Sequence, residues 1–235
     1  MGKNLNQITL NLAKVKQTIA STASTYDRSG DQIHLLAVSK RHSVDAVNVA
    51  YASGQRHFGE NFVSEGIDKM ARAPDDACWH FIGAIQSNKT RQIAAHYDWV
   101  HTVDRLKVAQ RLSDQREADQ PLRVCVQVNL GGGSSRAGVE PDDTLELAAA
   151  VHELPGLALR GLMVLPPPET ELAAQRRHFA QIAKLAAAGR DRSLPLTELS
   201  MGMSGDLAAA IAEGATWLRI GTAIFGQRPE SALSL

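Results

Sequence analysis

Lys40 closes the run Leu35-Leu36-Ala37-Val38-Ser39-Lys40. An amine directly after buried apolar residues can be partly desolvated. Desolvation disfavours the ammonium, lowers the pKa and frees a nucleophile that forms a Schiff base with an aldehyde or ketone. Taken alone, Lys40 is better read as a lysine reaching solvent where its strand ends. Two later segments change the balance. They are Leu199-Ser200-Met201-Gly202-Met203-Ser204-Gly205 and Arg219-Ile220-Gly221-Thr222. Glycine lets backbone N–H groups approach an anion closely, and a helix starting at Thr222 would add its dipole. One such loop is ordinary turn chemistry. Arg219 lies between Leu218 and Ile220, so strand alternation turns it away from those apolar neighbours. A buried guanidinium needs an acceptor, and a structural carboxylate is the simpler expectation. Facing a basic ring nitrogen, Arg219 would donate and leave that nitrogen unprotonated, which makes the ring a poorer electron sink.

These residues need elements to hold them. Leu5, Ile8, Leu12, Val15 and Ile19 recur at helical spacing, so the chain opens with an amphipathic helix. Eight strands are then expected at Ile33–Ser39, Arg56–Phe58, Trp79–Gly83, Trp99–Val103, Leu122–Asn129, Leu157–Val164, Leu196–Met201 and Trp217–Gly221. Helices between them include Ser43–Ser53, Asp104–Glu117, Asp142–Leu154, Glu171–Ala188 and Asp206–Glu213. Strand–helix alternation implies parallel pairing through right-handed crossovers. Eight strands close a barrel, so the expected fold is α/β, a single-domain (β/α)8 TIM barrel over 1–235 with an extra N-terminal helix. An open doubly wound sheet needs the same alternation, but no Gly-x-Gly-x-x-Gly turn follows the first strand. Pro166-Pro167-Pro168 forms a stiff loop after the sixth strand.

A barrel keeps its site at the C-terminal ends of its strands, with phosphate commonly at the loops after the seventh and eighth. The two glycine-hydroxyl segments fall at those loops. An imine-forming lysine, a phosphate cup and a donor to a ring nitrogen together describe a pyridoxal phosphate site.

The chain resembles the pyridoxal phosphate homeostasis protein family, small relatives of the alanine racemase N-terminal barrel. The resemblance rests on Ala37-Val38-Ser39-Lys40, Phe58-Gly59-Glu60-Asn61-Phe62-Val63-Ser64-Glu65-Gly66 and His80-Phe81-Ile82-Gly83-Ala84-Ile85-Gln86-Ser87-Asn88-Lys89. It continues through Arg160-Gly161-Leu162-Met163, Leu199-Ser200-Met201-Gly202-Met203-Ser204 and Arg219-Ile220-Gly221-Thr222-Ala223-Ile224-Phe225-Gly226. The blocks run in order over nearly the whole chain, and their combination is highly specific. The resemblance implies that Lys40 carries pyridoxal 5'-phosphate as an aldimine. It implies that Ser200, Gly221 and Thr222 hold the phosphate, helped by the Met203-Ser204 turn, with Arg219 at the pyridine nitrogen and Asn61 near the ring. It further implies a role in keeping the free cofactor low and in supplying apo-enzymes. Two positions depart from the family pattern. Ala84 stands where many relatives have proline, and Arg136 replaces a lysine in Asn129-Leu130-Gly131-Gly132-Gly133-Ser134-Ser135-Arg136-Ala137-Gly138. Arginine forms no imine, so a step using that lysine would be missing.

Composition sets the outer limits. The chain has 235 residues, 44% hydrophobic and 21% charged, with 25 basic and 25 acidic side chains. A formally neutral chain has no overall field for a polyanion, so nucleic acid is not an expected partner. Cys78 and Cys125 form no motif and read as two buried thiols of a reducing cytoplasm. No apolar run approaches a membrane span, and the N-terminus does not read as a signal peptide. The eight histidines show no metal spacing, although His57, His80 and His101 could meet inside the barrel. Gln86-Ser87-Asn88-Lys89-Thr90-Arg91 fits either a second anion site or a solvated helix face. The expected protein is a monomeric carrier. The competing readings are an amino-acid racemase, which needs an acid/base on each face of its substrate, and a Schiff-base aldolase or isomerase without cofactor.

Overall fold

The computed structural model describes residues 2–117, 119–131 and 137–227. Arg136 lies outside them. Its strands are β1 (His34–Val38), β2 (His57–Glu60), β3 (Cys78–Phe81), β4 (Trp99–Val103), β5 (Leu122–Val128), β6 (Leu157–Val164), β7 (Glu198–Ser200) and β8 (Trp217–Ile220). Each pairs in parallel with the next, and β8 returns to β1, from His34 opposite Trp217 to Ala37 opposite Ile220. That last pairing closes the barrel and excludes the open sheet. Every strand expected from the sequence is present, with ends displaced by no more than two residues.

The crossovers carry α2 (Val44–Ala52), α3 (Val63–Met70), α4 (Thr90–His96), α5 (Leu106–Asp114), α6 (Thr144–His152), α7 (Leu172–Asp191) and α8 (Leu207–Ala212). The short α3 and α4 were not among the helices named from sequence. Gly66 inside α3 obscures its pattern, and packing explains that glycine. A Cβ there would stand 1.9 Å from Tyr97 Oη, so only glycine lets α3 close on this ring.

Alternation along the strands sorts the side chains into two cores. Leu36, Trp99, Cys125, Met163 and Trp217 form a cluster within the barrel. Leu35, Ala37, Phe58, Trp79, Phe81, Leu218 and Ile220 face the helices and join the larger core. After β8 the chain makes one short helical turn, α9 (Thr222–Phe225). The long N-terminal helix α1 (Gly2–Thr25) covers the seam, lying against α2, α8 and α9. It buries Ile8, Leu12, Val15 and Ile19. Asn11 Nδ2 donates to Ile224 O at 3.0 Å, and Arg28 donates to Ile211 O and Ala215 O at 2.9 and 2.8 Å. The extra helix thus takes the outer place that a longer final helix would fill. No described helix is long and apolar enough to cross a membrane.

Candidate functional site

Lys40 follows the inward face of β1. Leu36 belongs to the interior cluster, and Val38 and Lys40 line a cavity above it. The intervening Ser39 points the other way and is fully buried. Its hydroxyl donates to Glu60 Oε1 at 2.6 Å. Lys69 of α3, only 4% exposed, reaches beneath the turn. Its ammonium donates to Ser39 O, Glu60 Oε1 and Glu65 Oε1 at 2.8, 2.7 and 2.8 Å. Glu65 also accepts from the Arg41 amide. Arg41 itself takes a left-handed φ of 63°, a conformation that costs a non-glycine residue energy unless its surroundings hold it. Both neighbours of Lys40 are therefore pinned by one charged network. Burial pushes the Glu60 carboxyl up, against the pull of Lys69, and its Oε2 is buried without a hydrogen-bond partner among the described residues.

The cavity measures about 340 Å³, at the small end of the ~300–1,000 Å³ usual for small-molecule sites. Of the residues singled out from sequence, Lys40, Asn61, Met203, Ser204, Arg219, Gly221 and Thr222 line it. Two glycines make this convergence possible. At Gly202, with φ of 96°, a Cβ would stand 2.5 Å from Ala210 Cβ, so the loop after β7 can lie flat on α8. At Gly221 a Cβ would stand 3.1 Å from Val38 O, so the end of β8 can close on the end of β1. Thr222 then begins α9, and the first amides of a helical turn have no intrahelical acceptor. The Met203 amide donates to Asp206 Oδ1 at 2.5 Å, which fixes the Met203-Ser204 turn.

Arg219 is 5% exposed, as its alternation requires. The carboxylate partner expected for it is not what it bonds. Its guanidinium donates to Ser200 Oγ at 2.9 Å and Val164 O at 2.8 Å. Its further N–H groups remain to serve the cavity it lines. Burial lowers its pKa to about 10, which still leaves a cation at neutral pH. Ser200 is the exception among the sequence-derived residues. It is fully buried and absent from the cavity lining, because β7 aims it into the barrel. There its hydroxyl meets both Arg219 and His101 Nδ1, the latter at 2.7 Å. Asn61 Oδ1 is buried with no hydrogen-bond partner among the described residues.

The three inward histidines do meet. His57 Nδ1 lies 3.0 Å from His80 Nε2, and His80 Nδ1 lies 2.9 Å from His101 Nε2. With Ser200 and Arg219 they form a continuous chain along the barrel interior. Burial holds His57 down at about 4 and His101 at about 3, so both are neutral at pH 7.

Sequence reasoning passed over His42, Met163 and Leu165, which also line the cavity. His42 stacks on Phe225, their ring centroids 5.2 Å apart. Its position two residues after Lys40 was the available signal. The Lys69 network was also missed, since its members come from three separate elements.

The sequence pattern described as alanine racemase, N-terminal domain, matches residues 4–229. The pyridoxal phosphate homeostasis protein of Pseudomonas aeruginosa is 52% identical over 230 residues, covering 97% of this chain and 99% of that one. Its Escherichia coli counterpart is 47% identical over 232 residues, covering 97% and 99%. The chain belongs to this family. Among solved structures, PipY of Synechococcus elongatus with pyridoxal phosphate bound superposes with a TM-score of 0.77. It is 42% identical and covers 88% of this chain and 100% of its own. The family's barrel therefore accounts for nearly the whole described chain.

Proposed function

We propose that this protein binds pyridoxal 5'-phosphate in the cavity around Lys40. It serves as a non-catalytic carrier that keeps the free cofactor low and supplies apo-enzymes. One observation carries the reading. An amine, a buried guanidinium, an unpartnered amide oxygen and two glycine-hydroxyl loops line a single small cavity. When bound, the cofactor supplies an aldehyde that condenses reversibly with an amine. Lys40 offers that amine from the end of β1, with Ser39 and Arg41 held on either side. Gly221, Thr222 and Ser204 offer amides and hydroxyls to the phosphate. Arg219 donates to the ring nitrogen, and Ser200 acts one step behind it. Asn61 gives the ring region an acceptor. A solved relative with pyridoxal phosphate bound, 42% identical, supports the choice of ligand.

The carrier reading over the racemase rests on the lining. Among the described residues, Lys40, His42 and Arg219 are the ionisable side chains there, and no carboxylate or tyrosine joins them. We read 1–235 as one barrel domain, acting as a monomer in the cytoplasm. Both cysteines are free, which suits a reducing compartment.

The test is borohydride reduction of the protein with pyridoxal phosphate, followed by peptide mass mapping. The label is expected on Lys40, and Lys40→Ala is expected to lose the visible absorbance of the loaded protein. Label confined to other lysines would overturn the assignment. Incubation with L- or D-alanine is expected to give no net racemisation; robust turnover would favour the racemase.

A further inference from the structure

The opposite end of the barrel holds a second cluster that the cofactor reading does not use. His57 opens β2 and Cys78 opens β3, and the parallel register sets them side by side. His80, two residues further along β3, points to the same face as Cys78. Cys78 Sγ and His57 Nδ1 both converge on His80 Nε2, at 3.5 and 3.0 Å. The ligand atoms of all three residues lie within 4.8 Å of one another. A tetrahedral zinc ion with ordinary bond lengths sets its nitrogens about 3.3 Å apart and nitrogen from sulfur about 3.6 Å. The two separations to His80 Nε2 lie within about 0.3 Å of those figures, and the remaining pair lies within 4.8 Å.

We propose that His57, Cys78 and His80 form a metal site for zinc or a cation of similar softness, at the N-terminal mouth of the barrel. Three further observations support it. First, the imidazole is oriented from behind. His80 Nδ1 meets His101 Nε2, and His101 Nδ1 meets Ser200 Oγ. If both Nδ1 atoms donate, His80 presents its Nε2 lone pair to the ion. Metal-binding histidines are commonly fixed by such outer partners. Second, the ion has an approach. His57 and Cys78 are part-exposed while His80 is fully buried. The fourth position is left to water or another small ligand. Third, Asp98, anchored by the Trp79 amide at 2.7 Å, sets a negative charge beside Cys78. Its carboxylate offsets the neighbouring Arg123. Burial and this carboxylate push the metal-free Cys78 thiol up to about 12, so an ion binding there must displace the thiol proton. The ligand spacing was invisible in the sequence because the set spans two strands. A linear His-x-x-His or Cys-x-x-Cys search does not find it.

The test uses the untagged full-length chain freed of pyridoxal phosphate, titrated calorimetrically with zinc chloride and loaded separately with cobalt(II). One equivalent of zinc is expected per chain. Cobalt is expected to give a near-ultraviolet thiolate band that Cys78→Ser abolishes. Cys78→Ser and His57→Ala should each weaken zinc binding at least tenfold. His34→Ala should retain it, as should Lys40→Ala, which separates this site from the cofactor cavity. Circular dichroism checks the fold of each variant. If His57→Ala does not fold, the near-isosteric Cys78→Ser decides. The absence of saturable zinc binding, or a folded Cys78→Ser variant that binds like the parent, would overturn the site.

Discussion

At the scale of single residues, the site is governed by which strand face each side chain occupies. Period-two alternation sufficed to turn Arg219 inward, because Leu218 and Ile220 declare the other face. Lys40 follows a run, Leu35 to Val38, that is apolar at every position, so its sequence marked a strand end and not a face. Ser200 was legible only as a hydroxyl in a promising loop. Its partners, Arg219 and His101, come from other strands, and only barrel closure brings them within 2.9 and 2.7 Å. In the proposed binding mode Ser200, which accepts from Arg219, positions that guanidinium. Ser200→Ala leaves two buried polar groups short of a partner, at about 1–3 kcal/mol. Urea unfolding should register that loss. The dissociation constant for pyridoxal phosphate should rise about tenfold, equivalent to ~1.4 kcal/mol. Borohydride should still label Lys40. Unchanged affinity would mean that Arg219 needs no such support.

At the scale of elements, strands were readable because parallel barrel strands carry dense apolar runs, whereas the connections between elements were not. Lys69 shows why. A lysine on a short helix ordinarily faces solvent, and nothing local reveals that the ends of β1 and β2 supply its acceptors. Once α3 packs on Tyr97, Lys69 has Ser39 O and two carboxylates within 2.8 Å. Removing one partner from a buried ion pair typically costs about 3–5 kcal/mol. Lys69→Met should therefore destabilise the protein by that order in chemical denaturation. Adding Glu60→Gln should return part of the loss, since the stranded charge disappears. Pyridoxal phosphate capture should slow in Lys69→Met as the turn carrying Lys40 loosens. The amphipathic first helix was fully legible, and its energetic share is testable too. Leu12 is 1% exposed, so Leu12→Ala should cost about 2–5 kcal/mol by the same measurement.

At the scale of the whole molecule, a line of imidazoles, His57 part-exposed and His80 and His101 fully buried, runs from the N-terminal mouth of the barrel to Ser200 and Arg219. This arrangement makes stability depend on pH in a definite direction. His57 and His101 titrate near 4 and 3 in the folded protein, chiefly through burial, and His80 is also lowered by burial. In the unfolded chain each titrates at ~6.5. Between those values the unfolded state binds more protons, so stability rises with pH and is lost as pH falls below ~6.5. One unit below, at about pH 5.5, a fully buried histidine such as His101 accounts for roughly 1.4 kcal/mol. His57, part-exposed, contributes less. Glu60 and Asp206, both raised by burial, act in the opposite sense above ~4.5. Comparing the parent with His101→Gln removes this shared background. In the presence of a chelator, the parent should lose more stability than His101→Gln between pH 7.5 and 5.5, by about 1 kcal/mol. Thermal and urea unfolding at the two pH values measure the difference. Equal losses in the two proteins would mean that His101 accepts its proton without unfolding the barrel, and the column of imidazoles would then be a conduit open to solvent rather than a dry core.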